Sequence, residues 1–260
     1  MQVISMNKKI ELKILNKIEK LESEVAALKY CQVEKSTGLP SYQYNKISFN
    51  QLENLVDIQQ EITKYQFDYW FNANISIDDT IVVFLEKLID KEKRYIKIYN
   101  KEDLKVNFII PVLNKVNFKI SDNIRSFYEE EITYTSDSFI FNGTTDFLVS
   151  KGFRRPKKPC SFIQKFKNSR SNIFPEPQLL AELISAVELN DWKIIRGAYI
   201  IGAIWSFVIL ERLKVGKYQY FVSKNFDCTK IDDLKNIFKH LTFVKNEIMV
   251  KNEIINSIYK

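Results

Sequence analysis

The strongest constraint on the fold is a change of period near residue 131. EITYT (131–135), FIFNGTTDFLVS (139–150) and CSFIQKFK (160–167) are short, rich in β-branched and aromatic residues, and separated by turn signals such as Ser136-Asp137-Ser138. PEPQLLAELISAVELN (175–190) then predicts a helix, with proline near its start and Leu179, Leu180, Leu183 and Val187 on an apolar face. Further strands are expected at Ala198 to Ile201, Trp205 to Glu211 and 217–223, with a terminal helix beginning near Lys230. This order, helix, three strands, helix, then strands, predicts an α/β layered domain.

Within the third strand, SFIQKFK poses a chemical problem. Side chains alternate across a strand, so Phe162, Gln164 and Phe166 share one face while Ile163, Lys165 and Lys167 share the other. A buried ammonium without a partner is costly, so an acidic group should face these lysines. Asp146 in NGTTDF is one candidate, because an aspartate in a strand of Phe, Leu and Val needs a partner or a metal.

Charge is unevenly distributed. The net charge of +7 is modest for 260 residues. Yet between Asp146 and Glu176 there is no acid, while eight bases fall there: Lys151, Arg154, Arg155, Lys157, Lys158, Lys165, Lys167 and Arg170. Much of this excess lies in the connection between two strands, where it could track a phosphate backbone or simply be a solvated loop.

Upstream, Ile14, Ile18, Leu21, Val25 and Leu28 are spaced 4-3-4-3, a heptad seam of about two and a half repeats. Residues 1–32 therefore predict a helix that is a short coiled coil joining two copies, a handle for a partner, or an element packed on its own domain. Residues 33–75 read as a linker, around Gly38-Leu39-Pro40, and a helical extension running to about Asn72. Ser76 is the expected N-cap of the next helix, echoed by Asp79, and Pro111 should break any helix through 101–117.

Several function classes are disfavoured. The chain has no P-loop, no G-x-G-x-x-G and no cluster of Cys and His for zinc. His240 is its one histidine, placed on an amphipathic helix where a packing or surface role is expected. The three cysteines, Cys31, Cys160 and Cys228, are scattered and predict reduced thiols in a cytoplasm. The N-terminus lacks the apolar core of a signal peptide, and GAYIIGAIWSFVIL (197–210) is too short to span a membrane and reads as two buried strands.

A strand with Gly143-x-x-Asp146, a basic connection, a strand ending in Lys167 and a helix with an early Gln178 resembles the PD-(D/E)XK nuclease superfamily, in its resolvase or RecB-like branch. The resemblance implies a restriction-endonuclease-like core over 76–260, a mixed central sheet flanked by helices. It implies Mg²⁺-dependent hydrolysis of DNA phosphodiesters, with Asp146 as metal ligand, Lys167 as catalytic lysine, Gln178 as a helix-borne polar group and Glu130 or Glu131 as an upstream acid. Lys151, Arg154, Arg155, Lys157, Lys158 and Lys165 would contact nucleic acid.

The chain departs from that pattern at one position. Two residues before Lys167, where a second metal-binding acid is expected, stands Lys165. An ammonium there would repel Mg²⁺ and is expected to pair with Asp146 instead. Gln164 through a bulge, or Glu176 or Glu182 from the following helix, could replace the missing ligand. The alternative is a catalytically degenerate nuclease fold that binds nucleic acid or a protein partner.

Overall fold

The computed structural model describes residues 38–258 apart from 64, 172 and 173, together with Lys17. The expected heptad helix, Lys17 aside, lies outside the described residues. The chain divides into two compact units, residues 1–42 with 135–140 and residues 43–134 with 141–260. In the first, the predicted turn forms as the Ser136 hydroxyl accepts from the N–H groups of Ser138 and Phe139, and Ile140 N donates to Pro40 O at 2.9 Å.

The described strands are β1 (Ser41–Gln43), β2 (Asp57–Gln60), β3 (Ile124–Thr135), β4 (Ile140–Lys151), β5 (Lys157–Lys167), β6 (Ile194–Ile201), β7 (Ile204–Lys214), β8 (Lys217–Val222) and β9 (Phe226–Asp227). The helices are α1 (Phe49–Leu55), α2 (Asp68–Phe71), α3 (Asp79–Glu92), α4 (Lys101–Leu104), α5 (Ile110–Val116), α6 (Glu176–Asn190) and α7 (Ile231–Ile258). The second unit is an α/β body on a mixed sheet in the order β4-β5-β6-β7-β8-β2, with β3 beside β4 and β9 beside β7. Pairing is parallel for β5 with β6 and for β2 with β8, and antiparallel for β4 with β5, β6 with β7 and β7 with β8.

Each face of the sheet carries helices. On one face Phe147, Phe162, Phe166, Phe207 and Ile209 join a core with residues of α2, α3, α5 and α7, such as Trp70, Leu85, Leu113 and Leu241. The other face is covered by α6, whose residues from Glu176 to Val187 are all buried. An amphipathic α6 was the expectation, and the difference has a physical cause. The short 3-10 turn Tyr44–Lys46 covers the polar side of α6, where Tyr44 Oη donates to Ser185 Oγ at 2.8 Å and Gln178 Nε2 donates to Asn45 O at 3.1 Å.

Three local expectations are corrected. The helix expected to run to Asn72 ends at Leu55, and β2 follows, because Asp57–Gln60 finds the open edge of β8. Backbone bonds from Asp57 N to Gly216 O and from Glu61 N to Tyr220 O, both 2.9 Å, hold it there. Pro111 does not break the helical run. A π-helical turn over Lys105–Ile109 feeds α5, and Pro111 sits at its first residues, where a missing N–H costs little. The N-cap of α3 is Asp78 rather than Ser76, and its carboxylate accepts from Ile81 N at 2.9 Å.

Gly197 of β6 explains how closely α6 approaches the sheet. A Cβ there would lie 2.9 Å from Ile163 O and 3.0 Å from a methyl of Leu183. Residues 197–210 form two buried strands, as expected, turning at Gly202-Ala203. Among the described residues no helix is long and apolar enough to cross a membrane. Cys160 and Cys228 are buried free thiols.

Candidate functional site

β4, β5 and α6 converge on a buried charge cluster. Antiparallel pairing of β4 with β5 extends from Lys151↔Lys157 to Phe147↔Gln164. At the next residue of β4, the Asp146 carboxylate takes over the role of a ladder acceptor, with Oδ2 accepting from Phe166 N at 2.7 Å. Asp146 is 2 % exposed, so its charge has to be compensated locally.

Strand alternation holds on β5. Phe162 and Phe166 enter the aromatic core, whereas Lys165 reaches α6 and donates to Glu182 Oε1 at 2.8 Å and to Thr144 O at 3.0 Å. Gln164 stays on the aromatic face, fully buried, with both amide atoms unpaired among the described residues, and nothing in the structure accounts for it.

The expected Lys165–Asp146 pair is present, but it is the longest of three ion pairs in the cluster. Lys165 Nζ lies 3.9 Å from Asp146 Oδ1, while Lys101 Nζ approaches the same oxygen to 2.6 Å. Glu182 is the acid that the buried lysine touches, and Lys101, at the start of α4, is the cation that Asp146 touches. Lys101 carried no sequence signal: it lies 45 residues before Asp146, in a segment without clear period. Glu182 was legible only as one of three acids on the helix, and one of the two expected to be able to replace the missing ligand.

Burial opposes ionisation of Asp146, but Lys165 and Lys101 hold its carboxyl below the usual range. Burial pushes the Glu182 carboxyl up to about 7, against the pull of Lys165. Lys165 is held above the ordinary lysine value despite its burial, chiefly by Glu182 and then by Asp146. Lys167, half-buried, is shifted down by burial and then by the like charge of Lys165. Three ammonium groups, of Lys101, Lys165 and Lys167, thus meet two carboxylates, of Asp146 and Glu182, and the local balance is positive.

The remaining expected residues are placed as follows. The Gln178 amide is turned to Asn45, one helical turn before Glu182, with Oε1 unpaired among the described residues. Glu131 is exposed on β3; from the same acidic run, Glu129 meets Lys105 at 2.8 Å. Glu176 is buried and accepts from Tyr199 Oη at 3.1 Å. His240 has a packing role: its ring stacks on Phe71 at 3.9 Å, and burial takes its pKa down to about 3.

The basic run divides in two. Arg154, Arg155, Lys157 and Lys158 are exposed at the tip of the β4–β5 hairpin, with Lys151 half-buried beside them, whereas Lys165 and Lys167 lie at the hairpin's other end. Asp146 and Lys151 are five residue steps apart on β4, roughly 16 Å of extended chain. The tip is anchored: Arg125 donates twice to Phe153 O, at 3.1 and 3.0 Å, and Gly152 N donates to Asn123 O at 2.7 Å. Phe153 itself is 77 % exposed.

As arranged, these donors do not fit Mg²⁺. Both oxygens of Asp146 are engaged, by Lys101 and by Phe166 N–H, and the nearer oxygen of Glu182 is held by Lys165. Among the described residues no group of three or more His, Cys, Asp or Glu side chains is placed to share a metal ion. The cluster is a network of paired charges with a positive mouth. No protein-family model and no curated protein matches the chain.

Proposed function

We propose that the chain is a restriction-endonuclease-like protein that binds nucleic acid, DNA in the first instance, through the tip of the β4–β5 hairpin. The observation that carries this reading is the anchored hairpin tip, where Arg154, Arg155, Lys157 and Lys158 are all exposed around an exposed Phe153. Four bases on a tip held by Arg125 can meet successive phosphates without a large ordering cost, and an exposed phenyl ring offers a face for an unpaired base. Lys101 and Lys167, at the positive mouth about 16 Å further along, extend the same track.

The binding is tested by fluorescence anisotropy of a labelled duplex over a range of salt concentrations. Replacing Arg154, Arg155, Lys157 and Lys158 together by Gln is expected to weaken binding and to lower the slope of log K against log salt by roughly 3 to 4, about 0.9 per lost phosphate contact. Unchanged affinity and slope in a folded quadruple variant would overturn the assignment. Phosphodiester hydrolysis is the second reading, favoured by the half-buried Lys167, whose ammonium is made less basic by burial and by Lys165. Mg²⁺-dependent nicking of plasmid in the same preparations, abolished by Asp146→Asn, would establish it.

A further inference from the structure

A cavity of about 450 Å³ opens where α2, the end of β8, β9 and α7 meet, and none of the residues of the charge cluster lines it. Local sequence builds it. The backbone leaves β8 at Ser223, whose hydroxyl accepts from Phe207 N at 2.9 Å and donates to Lys224 O at 2.7 Å, and it returns as β9 with Phe226 buried. Asn236 and His240 are four residues apart on α7 and so share a face, across which Trp70 Nε1 pins α2 by donating to His240 O at 2.9 Å. The floor is aromatic: the ring centres of Phe71 and Phe226 lie 3.9 and 5.2 Å from that of His240, and Phe67 lies 4.8 Å from Phe71. The rim is polar, with Asp68, Asn72 and Lys224 exposed.

Size, charge and hydrogen bonding each narrow what the cavity takes. Its volume falls within the range of about 300–1,000 Å³ typical of sites for small organic ligands. Asp68 and Lys224 offset each other, and burial holds His240 neutral with a pKa of about 3, so the lining favours a ligand without net charge. Stacking on Phe71 occupies a face of the His240 ring and leaves Nδ1 fully buried with no hydrogen-bond partner among the described residues. A buried nitrogen that the protein leaves unserved calls for a polar group from outside. The carboxamides of Asn72 and Asn236 are likewise without a partner among the described residues. Aromatic walls favour a planar ring, and a carboxamide sets a donor beside an acceptor, the pattern with which asparagine reads the N6 and N7 edge of adenine. We propose that this cavity is a binding site for a purine nucleoside, its base lying against the phenylalanine rings and its edge met by Asn72, Asn236 and His240. The assignment stands on the cavity and its lining and does not depend on what the hairpin tip binds.

The test is isothermal calorimetry of the full chain with adenosine, and with uridine as the comparison. Wild type is expected to bind adenosine at one site with a Kd below about 1 mM, and uridine at least about tenfold more weakly. Asn72→Leu and Asn236→Leu should each weaken adenosine binding about tenfold, as the loss of one good base-edge contact does, while thermal unfolding shows both variants folded. Asn72 is exposed at the rim, so its replacement leaves the core untouched, and should Asn236→Leu fail to fold, Asn72→Leu alone decides. Absence of saturable adenosine binding by wild type would overturn the proposal, as would equal affinity for uridine or unchanged affinity in folded Asn72→Leu. Loss of adenosine binding in the quadruple tip variant would place the ligand at the hairpin and overturn it as well.

Discussion

At the scale of single residues, Lys165 and Glu182 cost more to separate than to remove together. Lys165→Met leaves the buried Glu182 carboxyl without its partner, while Asp146 keeps Lys101, and is expected to destabilise the protein by about 3–5 kcal/mol. The double variant Lys165→Met/Glu182→Leu should lose less than the sum of its single losses, measured by urea unfolding with a double-mutant cycle. His240 makes a pH prediction of definite sign. Its pKa is depressed to about 3 in the fold, by burial and then by Lys224 and Lys239, from an ordinary value of 6.5. The unfolded chain therefore binds the proton more readily, and the contribution of neutral His240 is lost as pH falls from 6.5 towards 3. Between pH 7 and 4 wild type should lose roughly 3 kcal/mol more than His240→Phe, at about 1.4 kcal/mol per pKa unit. The need for an acid opposite Lys165 was legible from strand alternation. Asp146 was legible as one such acid; that Glu182 is the nearer was not, because this depends on how far α6 leans over β5, and Lys101 arrives from a segment that sequence period does not place.

At the scale of elements, the strands from 139 to 223 and helix α6 are legible because each is built mainly from its own residues: alternation on β5, a proline-led start for α6, Gly202-Ala203 between β6 and β7. The errors fall where an element owes its state to a distant partner. Asp57–Gln60 has no local reason to leave a helix, and it is a strand because β8 supplies hydrogen bonds from more than 150 residues away. Pro111 is tolerated because the π-helical turn before it resets the helical register. The fit of α6 on the sheet supplies a test at this level. Gly197→Ala places a methyl against Ile163 O and Leu183, so it should cost about 1–3 kcal/mol by overpacking, read as a fall in the urea midpoint. An unchanged midpoint would mean that α6 can back away from β6.

At the scale of the whole molecule, a net charge of +7 says little, whereas its placement says more. Seven of the eight bases read as one basic run in the sequence become two features in the fold, an exposed hairpin tip and a lysine-rich buried cluster, while Arg170 is exposed beyond the end of β5. Linear proximity concealed that division, because a hairpin carries neighbours in sequence to opposite ends of a pair of strands. The salt slope of the quadruple tip variant is accordingly a property of the molecule's surface and should leave the buried cluster intact.

The parallel docking of β2 on β8 also bears on how the protein is made. β2 leaves the ribosome long before its partner, and Trp70 Nε1 likewise waits for the His240 carbonyl, which it reaches at 2.9 Å. The early segment cannot complete its hydrogen bonds until residues 217–240 have been synthesised, and closing so long a loop is slow. Completion of this sheet edge should therefore wait for β8 and α7 to emerge, and until then the chain carries a strand in need of shelter from other nascent edges.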